Sequence, residues 1–176
     1  NPLLDTNLML HNGALRSSRL ERMTGYAETF MESCDIRPRE VVFVISTSGR
    51  NGAPIDVALL AKEKGAEVVG ITSLEYSMSQ PSRHPSVKRL FEVCDIYIDN
   101  HCPKGDALLT LEGFPMPFST GSTIAGAYII QTILSTAIKI MVDKGIAPPV
   151  FLSGNLEGGD EHNKKLIEKY KGRIMY

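Results

Sequence analysis

Three features of the sequence predict an α/β chain with a parallel sheet flanked by helices. Residues 40–45 (EVVFVI), 67–72 (EVVGIT) and 94–98 (CDIYI) are short apolar runs without polar alternation, the pattern of strands covered on both faces. Residues 54–64, between the first two runs, show an amphipathic helical pattern stopped by Gly65. Each run ends in a polar loop, and strands alternating with helices require crossover connections, hence a parallel sheet.

Other elements follow in order. Ser18-Arg19-Leu20-Glu21 has capping-box spacing, and Leu20, Met23, Ala27, Phe30 and Met31 recur at helical intervals, which predicts a first helix there. A long helix is expected over 122–144, ending at Gly145, then a short strand at 149–152 and a helix over 160–171. Ile124, Tyr128, Ile129, Ile133, Ala137 and Ile140 make the long helix apolar nearly all round, so it should be buried by the sheet on one side and on the other by a partner subunit or, alternatively, by a missing N-terminal helix. Gln131 and Lys139 interrupt its apolar stretch, which argues against a membrane span. No repeat or low-complexity tract is present, and 176 residues suit one domain.

Charge excludes some functions. With 19 basic and 20 acidic residues and a net charge of -1, the chain has no electrostatic footprint for nucleic acid or an anionic membrane. Cys34, Cys94 and Cys102 are odd in number and form no CxxC, arguing against a disulfide framework or structural zinc and for a cytoplasmic location. No secretory signal pattern opens the sequence. Neither GxxxxGK[ST] nor a strand-linked GxGxxG occurs, so no nucleotide cofactor is expected.

In a parallel sheet, ligands sit outside the carboxyl ends of the strands, which selects the loops 46–52, 73–83, 100–106 and 153–160. The first of them offers hydroxyls from Ser46, Thr47 and Ser48, close backbone approach at Gly49, and unpaired amides from the helix that follows. Those are the components of a phosphate cradle needing few charges, because a helix N-terminus carries roughly half a positive charge. An ordinary strand end followed by a helix cap uses the same residue types.

The loop STSGRN after VVFVI resembles the S-x-S-G-x-T signature of the sugar isomerase (SIS) domain family. The run ending in Ile71-Thr72-Ser73, and Gly121-Ser122-Thr123 opening the long helix, are similar to that family in the same order. The segments SLEYSMSQPSRH, DNHCPKGDA and SGNLEGGDEHN resemble a bacterial branch similar to phosphoheptose isomerases. This resemblance implies a three-layer flavodoxin-like (Rossmann-like) SIS domain over 1–176 that binds a phosphorylated sugar and forms a homodimer. It assigns phosphate binding to Ser46, Thr47, Ser48, Gly49 and Asn51, with Asn51 in place of the usual threonine. Family members open with a further strand, a G-x-G-x-S loop and a helix bearing a catalytic glutamate, a unit expected to be missing before Asn1.

Aldose–ketose isomerisation needs groups that exchange protons near neutral pH, for which glutamate and histidine are suited. Glu157 and His162 flank a glycine-rich loop and are the expected acid and base, although Asp160, Glu161 and His162 also read as a helix cap and its exposed first turn. Ser73, Arg83, Ser122 and Thr123 are candidates for contacting the sugar; the last two serve equally as a cap pair. His84, Lys104 and His101 beside Cys102 are surface candidates, and no metal is expected. The sequence thus suggests a sugar-phosphate isomerase or, alternatively, a non-catalytic sugar-phosphate sensor.

Overall fold

A computed structural model describes residues 5–8 and 13–174. The chain divides into two compact units, Leu3–Tyr128 and Ile129–Tyr176. The first holds a three-stranded parallel sheet in the order β1 (Val41–Ile45), β2 (Glu67–Thr72), β3 (Ile96–Asp99), so the three apolar runs do form adjacent parallel strands.

The pairing Val42↔Val68 and Val44↔Gly70 places these residues on one face. Helix α3 (Gly52–Glu63) covers that face with Ile55, Ala58 and Ala61, all fully buried. Alanine at two of those positions lets the helix lie close, and burying Ile55 alone contributes on the order of 2 kcal/mol. Three helices complete the layer: α1 (Ala14–Arg22), α2 (Glu28–Met31), whose Met31 is buried, and α5 (Leu90–Val93), whose Leu90 and Val93 are buried. Asp95 ties the end of α5 to the sheet, accepting from Val68 N at 2.8 Å and from Lys62 Nζ at 2.6 Å.

Gly52 opens α3 beneath the segment leaving α1. A Cβ there would lie 2.7 Å from both the Met23 carbonyl carbon and oxygen. The segment is held down by Asp56, whose Oδ2 accepts from Gly25 N at 2.7 Å. Because the obstruction is backbone, Gly52→Ala should cost about 2 kcal/mol, read as a lowered denaturation midpoint with an unchanged m-value.

The structure corrects several sequence expectations. Ser18 is no helix cap: α1 begins after Gly13, and Ser18 and Glu21 share one face in its interior. The helical pattern of residues 20–31 is two short helices rather than one, since the chain leaves α1 at Met23, which is extended, and re-enters at Glu28. Residues 107–120 form an antiparallel hairpin of β4 (Ala107–Leu111) and β5 (Phe114–Thr120), turned at Gly113 with φ 78°. Pro115 and Pro117 hide it from a strand search, because proline donates nothing to a ladder. A further short helix, α4 (Leu74–Met78), follows β2.

Helix α6 (Ser122–Asp143) forms as expected, but its burial does not. Gly126 is its one buried residue among those described, placed where an added Cβ would be 3.6 Å from Ile45 Cγ2 on the second face of the sheet. Ile124 and Tyr128 remain 72% and 73% exposed. By length and composition alone this helix is long and apolar enough to cross a membrane.

In the second unit α7 (Gly159–Lys169) forms, while the strand expected at 149–152 does not. Its polar groups are met otherwise: Asn163 Oδ1 accepts from Leu152 N at 2.9 Å and Asn163 Nδ2 donates to Leu152 O at 2.8 Å. A side-chain amide thereby replaces a ladder partner.

Candidate functional site

The loop after β1 is fixed by its carbonyls. Thr47 O accepts from Ser73 N at 2.9 Å, Gly49 O from Leu90 N at 2.8 Å, and Arg50 O from Arg83 N at 2.8 Å. Thr72 Oγ1 also donates to Thr47 O at 3.1 Å. Among the described residues, the amides of Thr47, Ser48, Gly49, Arg50 and Asn51 donate to no backbone carbonyl or side chain. Asn51, the cap residue of α3, places no side-chain bond on the helix amides either. A run of free amides leading into a helix N-terminus is an anion-binding nest.

A cavity of about 440 Å³ opens at this loop, within the range of small-molecule sites, lined by Ser46, Thr47, Ser48, Arg50 and Asn51. Ser18, Glu21 and Arg22 of α1 contribute by their spacing, since residues three and four apart share one helix face. Ile45, Tyr76, Arg83, Gly105 and Asp106 complete the lining. Gly49, with φ 57°, is buried behind the loop.

Asn51 is buried, and its amide is already engaged. Nδ2 donates to Glu21 Oε1 at 2.8 Å, and Oδ1 accepts from Arg83 Nη1 at 2.7 Å. The residue taken from its sequence position as a phosphate donor therefore acts as a bracket, holding a carboxylate and a guanidinium at the rim of the nest. Partial burial, and then the charges of Arg50 and Arg22, hold Arg83 below the ordinary arginine pKa, with Glu21 opposing them.

Ser73 is fully buried: its hydroxyl donates to Cys102 O at 2.6 Å and accepts from Tyr76 N at 3.1 Å. It caps α4 and does not line the cavity. Ser122 Oγ donates to Asp106 Oδ2 at 2.5 Å, and Asp106 Oδ1 accepts from Ser122 N at 2.8 Å and Gly121 N at 3.2 Å. The N-terminus of α6 is thus capped by a carboxylate from 16 residues upstream of Ser122. Thr123 is exposed on the first turn of α6.

Glu157 and His162 belong to the second unit. Glu157 is exposed there, and His162 Nε2 bonds Val150 O at 3.0 Å, so that nitrogen carries the proton. His84 is engaged within the first unit, its Nε2 lying 2.8 Å from Asp56 Oδ1. His101 pairs at the surface with Asp99 at 3.2 Å, and among the described residues no three His, Cys, Asp or Glu side chains are grouped to hold a metal. Glu21, Arg22, Tyr76 and Asp106 are cavity residues that the sequence does not single out. Ser18 and Glu21 read there as a capping box, and Tyr76 and Asp106 lie unmarked within the strand-end loops 73–83 and 100–106.

The SIS domain profile matches residues 1–73, which includes the nest loop. A UPF0309 protein of Geobacillus kaustophilus is 57% identical over 173 residues, covering 98% of this chain and 69% of its own length. UPF0309 proteins of Listeria monocytogenes and Thermoanaerobacter pseudethanolicus are 54% and 46% identical, over 70% and 72% of their lengths. With a relative this similar across nearly all its residues, and with the SIS profile on its nest loop, the chain belongs to the UPF0309 family of SIS-domain proteins.

Proposed function

We propose that the nest after β1 binds the phosphate of a sugar phosphate, and that the protein is an aldose–ketose isomerase of the phosphoheptose isomerase kind. The observation that carries the binding half is the set of consecutive unpartnered amides beside Ser46, Thr47 and Ser48 at the mouth of a cavity. Such a site meets an anion with fixed dipoles, so no reorganisation is needed when the ligand arrives.

For the reaction we assign the proton-transferring base to Glu21 in preference to Glu157 and His162. Glu21 lines the same cavity as the nest and is oriented by Asn51, whereas Asp106 is consumed by the start of α6. The base removes the proton from the carbon beside the carbonyl of the open-chain sugar while the carbonyl oxygen takes up a proton, giving an enediol. It then returns the proton to the former carbonyl carbon as the adjacent hydroxyl loses its own to become the new carbonyl. We extend the reading to the fold, taking the parallel trio as the core of a three-layer flavodoxin-like sheet. The exposed Ile124 and Tyr128 of α6 support a homodimer that covers this helix.

The test is incubation of the full-length protein with heptose, hexose and pentose phosphates in deuterated water. Solvent deuterium at C2 is expected for one of them, and Glu21→Gln should reduce the exchange at least 100-fold while preserving binding. Glu157→Gln and His162→Gln should leave the rate near wild type. Binding with no exchange for any sugar would remove the isomerase and leave a sensor.

A further inference from the structure

A cavity built for a single phosphate needs no cations here, because loop amides, three hydroxyls and the start of α3 already serve that anion. Yet Arg22, Arg50 and Arg83 line the same cavity. Among the described residues none of the three forms an ion pair with a carboxylate. Their hydrogen bonds go to neutral acceptors: Arg83 Nη1 to Asn51 Oδ1 at 2.7 Å and Arg50 Nη1 to Gln80 Oε1 at 3.3 Å. Arg50 Nε is buried and bonds nothing. A buried donor left unpaired is costly, and like charges gathered around one hollow repel, so the arrangement stores a demand for negative charge.

The two carboxylates in the lining meet that demand only in part: Glu21 favours the charge of Arg83, but three guanidiniums line the cavity against two carboxylates. Asp106 is committed to three donors at the start of α6, and Glu21 Oε1 accepts from Asn51. Asn51, meanwhile, holds the Arg83 guanidinium beside the nest, and Arg50 and Arg83 are joined through the backbone bond between Arg83 N and Arg50 O. Two of the cations are therefore anchored around the loop. A guanidinium presents paired donors that match the oxygens of a carboxylate or phosphoryl group.

We propose that the ligand of this cavity carries a second anionic group, a carboxylate or a further phosphoryl, besides the phosphate seated at residues 46–52, and that Arg22, Arg50 and Arg83 receive it. The inference rests on the phosphosugar reading above and narrows its substrate class to phosphorylated sugar acids and sugar bisphosphates. Asn51 then has a specificity role, fixing Arg83 for the second anion with the same amide that orients Glu21.

The experiment is calorimetric titration of the full-length protein at constant ionic strength with glucose 6-phosphate, fructose 6-phosphate, 6-phosphogluconate and fructose 1,6-bisphosphate. At least one doubly anionic ligand should bind about tenfold more tightly than its monophosphate counterpart, as expected of a charge-assisted pair. Arg22→Gln and Arg83→Gln, both at exposed positions, should erase that advantage, weakening the doubly anionic ligand about tenfold more than its monophosphate counterpart, with their unliganded melting points reporting that the fold is intact. A gain confined to phosphogluconate identifies a carboxylate, and one confined to the bisphosphate identifies a phosphoryl group; either supports the proposal. Equal binding of both classes by the wild type overturns it and leaves the phosphate site standing, as does an equal loss for both classes in the variants, which would assign the arginines to the phosphate itself. Absence of binding by all four sugars overturns the phosphate site and this inference together.

Discussion

Ser48→Leu is expected to abolish the thermal stabilisation that a sugar phosphate confers, while leaving the unliganded protein folded. Ser48 is half-buried in the cavity wall, in a loop secured by the carbonyls of Thr47, Gly49 and Arg50 rather than by its own side chain. Leucine removes a hydroxyl donor and puts a branched apolar group where the anion would sit, an unfavourable exchange for a charged ligand. A ligand at 100 times its dissociation constant stabilises a protein by about 2.7 kcal/mol. For a chain of this size that is a shift of roughly 5–10 °C, all of which the variant should lose. Scanning calorimetry with and without the sugar phosphate checks it, and a retained shift would place the ligand elsewhere.

Gly49→Ala should damage the fold itself. The residue has φ 57°, where a side chain is strained, and an added Cβ would lie 2.7 Å from Thr72 Oγ1 and 2.9 Å from Ser77 Oγ. Thr72 and Ser77 are fully buried, and Thr72 is held to Thr47 O, so neither side chain has free space into which to retreat. Strain and overlap together should cost about 2–4 kcal/mol, a fall in melting temperature of roughly 4–16 °C. An unchanged melting temperature would mean that the loop does not rest on the end of β2 as described. Gly49 thus serves the site from behind, by letting the nest lie close to the sheet.

The parallel sheet was legible because its signal is local and dense. In β2, five of six residues are buried, and a run without alternation is what such a strand must be. Helix α3 and its stop at Gly65, with φ 82°, were legible for the same reason. The hairpin was not, since its prolines contradict strand propensity, and its apolar residues Met116 and Phe118 lie exposed, where no burial pattern constrains them. Residues 149–152 looked like a strand because they are apolar and flanked by prolines and glycine, but strand pairing needs a partner, and the Asn163 amide is what they have.

For the site, the sequence pointed to a loop and not to the residues that surround it. The chemistry of residues 46–49 is written in consecutive positions, whereas the bracket at Asn51 joins Glu21 and Arg83, which lie 30 and 32 positions away. Nothing in one sequence announces a bridge of that length. Ser18 and Glu21 show the converse: three-residue spacing fits both a capping box and one face of a helix, and only the position of Gly13 as the start of α1 decides between them. Ser73 looked available because it follows a strand, yet its hydroxyl is consumed by Cys102 O and Tyr76 N.

Amide nuclear magnetic resonance reads whether the free amides of the loop after β1 receive a phosphate. On titrating the full-length, isotope-labelled protein with fructose 6-phosphate, the resonances of Thr47 to Ala53 should move saturably and together, downfield as expected for N–H groups that gain a charged acceptor. Resonances of these residues that stay fixed while others in the protein shift, or that shift no more than with an equal concentration of chloride, would contradict the account.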